Sequence, residues 1–160
     1  MATPRVWRAQ PHEAEAVAEL LVAFRDEMGR DWPSANAFHA GVERLIELPD
    51  CVYLLSAVDD DAPPVGVCQL RFRWGLWFAA PDCWLEDLFV QDEARRHGVG
   101  AALVEATFAE ARSRGCRRVE LDCRADNEPA MKLYERFGFA TGKVAGTQDL
   151  LLRARLDDAS

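Results

Sequence analysis

Leu85-Glu86-Asp87-Leu88-Phe89-Val90, a polar turn, and then Arg95-Arg96-His97-Gly98-Val99-Gly100-Ala101 form the stretch that decides the fold. Trp84 to Val90 is rich in strand-forming residues. From Gly98 to Arg114 the pattern becomes helical, with Val99, Leu103, Ala106 and Ala111 as inward positions and Gly115 as the stop. The first amides of a helix have no partner inside it, and the helix dipole adds positive potential there. Glycines at alternate positions remove the Cβ atoms that would hold an anion off those amides. Arg95 and Arg96 add charge, so a diphosphate is a natural guest. Two glycines that merely allow tight packing at a helix start explain this turn equally well. The dinucleotide-binding pattern is excluded, because Leu103 stands where its third glycine would be, and the Gly-Lys-Ser/Thr ending of a P-loop is absent.

Working outward, Arg5 to Arg8 reads as a short strand. Pro11 begins a helix whose buried face carries Val17, Leu20, Leu21, Phe24 and Met28, and which Gly29 ends. Ser34 caps a second helix from Ala35 to about Leu48. Cys51 to Val58 and Val65 to Arg73 form a hairpin around Asp59-Asp60-Asp61-Ala62-Pro63-Pro64. Beyond the helix that ends at Gly115, Val119 to Cys123 is a strand and Pro129 to Arg136 a short helix. Phe139 to Val144 and Gln148 to Leu156 read as two final strands. The order β-α-α-β-β-β-α-β-α-β-β predicts a mixed α/β (α+β) domain over 1–160. Its sheet has about six to seven strands and is largely antiparallel, with about four flanking helices.

Composition narrows the function. A net charge of −8 on 160 residues argues against general binding to nucleic acid or anionic membrane. Cys51, Cys68, Cys83, Cys116 and Cys123 show no metal-ligand spacing and read as buried, reduced thiols. His12, His39 and His97 are scattered, so no metal site is expected. The opening Met1-Ala2-Thr3-Pro4-Arg5 leads into polar sequence, and no apolar run approaches the ~18 residues of a membrane span. A reducing cytoplasm is the expected location.

Four features in order resemble the GNAT superfamily of acyl-CoA-dependent N-acyltransferases. They are the strand Leu85–Val90, the turn Arg95-x-x-Gly98-x-Gly100, the strand Val119-Glu120-Leu121-Asp122-Cys123, and the run Asn127 to Phe139. That last run matches N-x-x-A-x-x-x-Y-x-x-x-G-F. Together they cover Trp84 to Phe139. Arg96 departs from the pattern, since relatives often carry glycine there. An ordinary backbone conformation is expected for it, because Arg in a left-handed one would be strained.

The resemblance implies acetyl-CoA as cosubstrate. Its pyrophosphate would sit on the amides from Arg96 through His97, Gly98, Val99 and Gly100 to Ala101, beside Arg95. Its pantetheine arm would pair with Leu88-Phe89-Val90, where that strand splays from Val119–Cys123 as the central pair of the sheet. Asn127 would bond near the arm, Ala130 would leave room for it, and Lys132 and Arg136 are candidates near the adenosine phosphates. Tyr134 resembles the family's general acid: a phenol of pKa ~10 can protonate a leaving thiolate whose reference pKa is ~8.5. Glu86 is the candidate base, because the Leu-Glu-Asp run resembles the polyamine and thialysine acetyltransferase branch. Strict alternation would turn Glu86 and Asp87 to opposite faces. An amide near Leu88 would stabilise the oxyanion.

The acceptor is read from surroundings. Trp32, Trp74, Trp77, Phe78 and Trp84, with Asp26, Glu27, Asp31, Asp82 and Glu86, suit a small cationic amine. The tryptophans suit a core or a dimer interface equally well. The alternatives are a protein acetyltransferase acting on a lysine or an N-terminus, and a non-catalytic acyl-CoA-binding module. A homodimer is expected by family analogy.

Overall fold

The computed structural model describes residues 3–156; Met1 and Ala2 of the opening stretch lie outside the described residues. By contact density the chain divides into two units, Met1–Cys123 and Arg124–Ser160.

The first unit is built around Cys51–Ala57 (β2), which is buried along its whole length because both its faces are covered. Cys51, Tyr53 and Leu55 face one core cluster, with Val17, Leu20 and Leu21 of Ala14–Glu27 (α1) and Val42 of Ala35–Leu45 (α2). Val52 and Leu54 face a second cluster, with Val99, Leu103 and Ala111 of Val99–Ser113 (α3). The alternation along β2 is the period-two geometry of a strand between two layers. Burying each such side chain contributes roughly 1.5–3 kcal/mol before entropy is counted.

Around β2 the sheet runs in the order Arg5–Arg8 (β1), β2, Gly66–Gly75 (β3), Ala80–Val90 (β4), Val119–Glu120 (β5). The first four strands are antiparallel to their neighbours, and β5 is parallel to β4. A 3-10 turn at Pro11–Glu13 leads into α1, and the Glu13 carboxylate accepts from the Gln10 amide at 3.0 Å and from Trp7 Nε1 at 2.9 Å. Ser34 caps α2 as expected, its hydroxyl accepting from the Ala37 amide at 3.1 Å.

The second unit contains Glu128–Arg136 (α4) and a small ribbon of Lys143–Val144 (β6) with Thr147–Gln148 (β7). Here the structure departs from the sequence expectation. Among the described residues the main sheet has five strands, and the two final strands shrink to this two-residue pairing. Leu150, Leu151, Leu152 and Leu156 are exposed instead of lying on a sheet face. A run of consecutive leucines lacks the alternation that selects one face, and strand propensity alone does not supply a partner ladder. Val119 to Cys123 alternates, yet it is strand only over Val119–Glu120, where β4 supplies the ladder partner, and Cys123 lies outside it.

Candidate active site

One group of candidate residues lies wholly in the first unit, where β4 and β5 part. Their parallel ladder holds only at Cys83 with Val119 and Trp84 with Glu120. From Leu85 to Val90, β4 continues along β3 with no strand on its other side among the described residues. Main-chain donors and acceptors on that side are open to a partner, and leaving them buried without one would be costly. The two strands part as expected, but among the described residues they are the last pair of the five-stranded sheet and not a central one.

Within this open edge the ladder to β3 slips. Gln69 pairs with Asp87 and Leu70 with Leu85, so Glu86 is an extra residue, a β-bulge. The bulge interrupts the strict alternation expected for Leu85 to Leu88. Leu85 and Val90 belong to the cluster against α3, whereas Phe89 belongs to the cluster against α1 and α2. Asp87 stands in a cross-strand row with Gln69 and Tyr53, on the α1 and α2 face. Glu86 itself is exposed. Burial, then the neighbouring Glu86 and Asp122 carboxylates, hold the Asp87 carboxyl above the usual carboxylate range. Burial also pushes the Tyr53 phenol up, helped by nearby Cys51 and Asp87. The sequence set Asp87 only on the face opposite Glu86; the pairing of the strands puts it in one row with Gln69 and Tyr53.

After β4, a 3-10 turn at Asp92–Ala94 leads to the glycine-bearing turn. Arg96 has φ +67 and Gly98 φ +79. The ordinary conformation expected for Arg96 is therefore corrected: the reversal between the 3-10 turn and α3 takes two left-handed steps, and one falls on an arginine. Buried Ala94 and Val99 anchor the turn, while Arg96, His97 and Gly98 are exposed. The first bond of α3 runs from the Ala102 amide to the Gly98 carbonyl at 3.0 Å, which leaves the amides before Ala102 without helical acceptors. Among the described residues, a Cβ placed on Gly98 would meet only Pro4, at 3.7 Å.

Arg95 is differently placed. Its guanidinium donates to the Val90 carbonyl at 2.9 Å, to Asp92 at 3.2 Å and to Glu27 of α1 at 2.5 Å. Gly66 is a group the sequence did not single out. It lies opposite Val90, and a Cβ there would stand 2.8 Å from Val99 and 3.2 Å from Leu103, so its lack of a side chain lets α3 sit tight on the sheet.

The acidic residues expected near an acceptor divide. Asp26 is paired with Arg25, Glu27 with Arg95, and buried Asp82 with Arg118 through two bonds of 3.0 and 3.2 Å. Among the described residues Asp31 and Glu86 have no such ion-pair partner. Trp32, Trp74 and Trp77 are exposed, Trp77 at 96%, so these three are not core residues. Cys68 and Cys83 are buried thiols pushed up to about 12 by desolvation, which suits inert packing and not nucleophilic work. Among the described residues no group of histidine, cysteine and carboxylate side chains could hold a metal, and no helix is long and apolar enough to cross a membrane.

The remaining motif lies in the second unit. Asn127 caps α4, its side-chain oxygen accepting from the Ala130 amide at 3.4 Å. Tyr134 is half-buried and meets Phe139 edge to face at 5.6 Å, and the Phe139 amide returns to the Tyr134 carbonyl at 3.1 Å. Gly138, at φ +89, makes that return possible. Lys132 and Arg136 are exposed.

The model of the Acetyltransferase (GNAT) family matches residues 17–139. The chain belongs to the GNAT family. Among GNAT relatives, an aminoglycoside N(6')-acetyltransferase type 1 of Stenotrophomonas maltophilia is 29% identical over 140 residues, covering 85% of this chain and 86% of that one. A crystal structure from Arthrobacter sp. FB24, provisionally named an acetyltransferase, is 32% identical with a TM-score of 0.82, covering 97% and 96%. The fold also matches AAC(6')-Iy, solved with the bisubstrate analog CoA-S-monomethyl-acetylneamine. That match has a TM-score of 0.75 at 19% identity, covering 96% and 99%.

Proposed function

We propose that this GNAT chain transfers an acetyl group from acetyl-CoA to a primary amine, and that the amine is a small cation. One observation carries the reading: the unpaired edge of β4 from Leu85 to Val90 runs directly into a turn of unpartnered amides ahead of α3. An extended amide-bearing arm that ends in a diphosphate matches both parts at once, in sequence order. A lone anion would need only the turn, and a bare peptide only the edge. The aminoglycoside enzyme among its relatives, and the CoA-derived ligand of AAC(6')-Iy, support acetyl-CoA and a cationic amine as partners.

In this reading the amides from Arg96 to Ala101 hold the pyrophosphate, with Arg96 adding charge, and Leu88, Phe89 and Val90 hold the arm. Asn127 and Ala130 serve the same arm. Glu86, pushed out by the bulge, accepts the proton of the incoming ammonium directly or through water, because only the free amine has a lone pair. The nitrogen attacks the thioester carbon in a ternary complex, and the Leu88 amide donates to the oxyanion. As the carbon–sulfur bond breaks, Tyr134 donates its phenolic proton to the departing sulfur. Asp31, Glu86 and the exposed Trp32 supply carboxylate and aromatic faces for a cation. The whole chain acts as one acyltransferase domain, in the cytoplasm and as a homodimer.

The test is a panel of polyamines, lysine analogues, aminoglycosides and lysine-bearing peptides, assayed by CoA release with acetyl-CoA as donor. Turnover of cationic small amines well above the peptides is expected. Activity confined to peptides would replace the acceptor assignment, and CoA release with none of them would overturn the transfer reaction.

A further inference from the structure

Arg95 opens the R-x-x-G-x-G turn, where its charge suggests a phosphate ligand, yet each of its three nitrogens donates to the protein. Nε donates to the last carbonyl of β4, and the two terminal nitrogens donate to Asp92 and to Glu27. Its guanidinium also lies 5.9 Å from the centre of the Phe89 ring, which stacks on Phe24 of α1 at 5.2 Å. Two carboxylates offset its charge, so it adds little field for an incoming diphosphate. What it does instead is tie three pieces together: the end of β4, the 3-10 turn and the last residue of α1. The same turn of α1 holds a second tether, from Arg25 to the Pro33 carbonyl at 2.7 Å, which fixes the α1–α2 connection carrying exposed Trp32.

We propose that Glu27 and Arg95 are positioning residues for the diphosphate turn. Glu27 holds the Arg95 guanidinium, Arg95 holds the carbonyl from which the chain enters the turn, and the amides after Arg96 are thereby presented in one arrangement. Acetyl-CoA affinity then depends on a carboxylate on α1, a helix with no part in the phosphate motif. The inference rests on the acyltransferase reading above.

The sign of one experiment separates the two roles of Arg95. If Arg95 bound phosphate, Glu27 would compete with the ligand, and Glu27→Gln would tighten acetyl-CoA binding. If Arg95 is a strut, Glu27→Gln loosens the turn and weakens binding. Calorimetric titration with acetyl-CoA is expected to show about a fivefold weaker Kd for Glu27→Gln, the scale of one well-formed but half-exposed ion pair. Glu27→Asp, which keeps the charge, is expected to recover part of the loss. Adding Arg95→Lys to Glu27→Gln is expected to cost less than the two single effects together. Should Glu27→Gln fold poorly, the Glu27→Asp and Arg95→Lys titrations carry the same test, each expected to weaken binding. Unchanged or tighter binding in a folded variant overturns the positioning role alone. A wild-type chain that binds no acetyl-CoA overturns the acyltransferase reading and this inference with it.

Discussion

Replacing Gly66 by alanine tests how the sheet sets the height of the phosphate-binding turn. The added Cβ would stand 2.8 Å from Val99 Cγ1, 3.2 Å from Leu103 Cδ1 and 3.5 Å from the Phe89 carbonyl oxygen. Carbon atoms prefer about 3.5–4.0 Å, so the worst contact is short by roughly 1 Å. Neither neighbour yields easily. Val99 is β-branched and almost wholly buried, and Leu103 is buried among β-sheet side chains. Helix α3 must therefore lift at its first turn, and that turn carries the amides assigned to the diphosphate. Gly66 has no left-handed φ, so alanine suffers no backbone strain there, and stiffening the unfolded chain would by itself stabilise by about 0.4–1 kcal/mol. Overpacking costs about 1–3 kcal/mol. The net expectation is a loss near 1–2 kcal/mol in urea unfolding, with weaker acetyl-CoA binding. Val99→Ala in the same chain should restore part of both by vacating the space. A Gly66→Ala protein as stable as wild type, with unaltered affinity, would show that α3 does not rest on this contact and refute the reasoning.

Three further outcomes are expected. Arg96→Gly relieves about 1–2 kcal/mol of left-handed strain and loses about 0.4–1 kcal/mol through the unfolded chain, so it should gain about 0–1.6 kcal/mol in denaturation while weakening acetyl-CoA binding. Arg96→Ala should show the weaker binding without the gain. For Asp87, the folded pKa is raised, so its contribution is fully present below the ordinary aspartate value near ~3.9 and is lost as pH rises through the higher folded value. Asp87→Asn should therefore be more stable than wild type at neutral pH and equal to it in acid, and thermal unfolding across pH 3 to 8 reads this directly. Tyr134→Phe keeps the edge-to-face contact with Phe139 but removes the phenolic proton, so turnover should fall about 10²–10⁴-fold with little change in acetyl-CoA affinity, measured by CoA release and by titration.

The elements legible in advance were those with strong local signals. Ser34, Gly29 and Gly115 punctuate helices through backbone chemistry that needs no distant partner, and they stand where expected, whereas Pro11 opens a 3-10 turn and α1 itself begins at Ala14. Val119 to Cys123 and the segments after Phe139 were read as longer strands than they are, because a strand exists only as far as another chain segment satisfies its ladder. Arg96 shows the same limit at one residue. Its side chain argued for an ordinary conformation, and the geometry of the reversal around it overrode that preference.

From the sequence alone came the family and the order of its motifs: strand, Arg95-x-x-Gly98-x-Gly100 turn, helix, and the Asn127 to Phe139 run. These are contiguous stretches, and their meaning travels with local backbone needs. Only tertiary structure decided that Glu86 is a bulge, that Asp87 is the carboxyl raised by burial and by its acidic neighbours, and that Arg95 belongs to Glu27. It also decided that Gly66 sits beneath the first turn of α3. Each of these depends on which residue of one strand or helix meets which residue of another. Register and packing distance are properties of pairs far apart in the chain, and no local pattern encodes them.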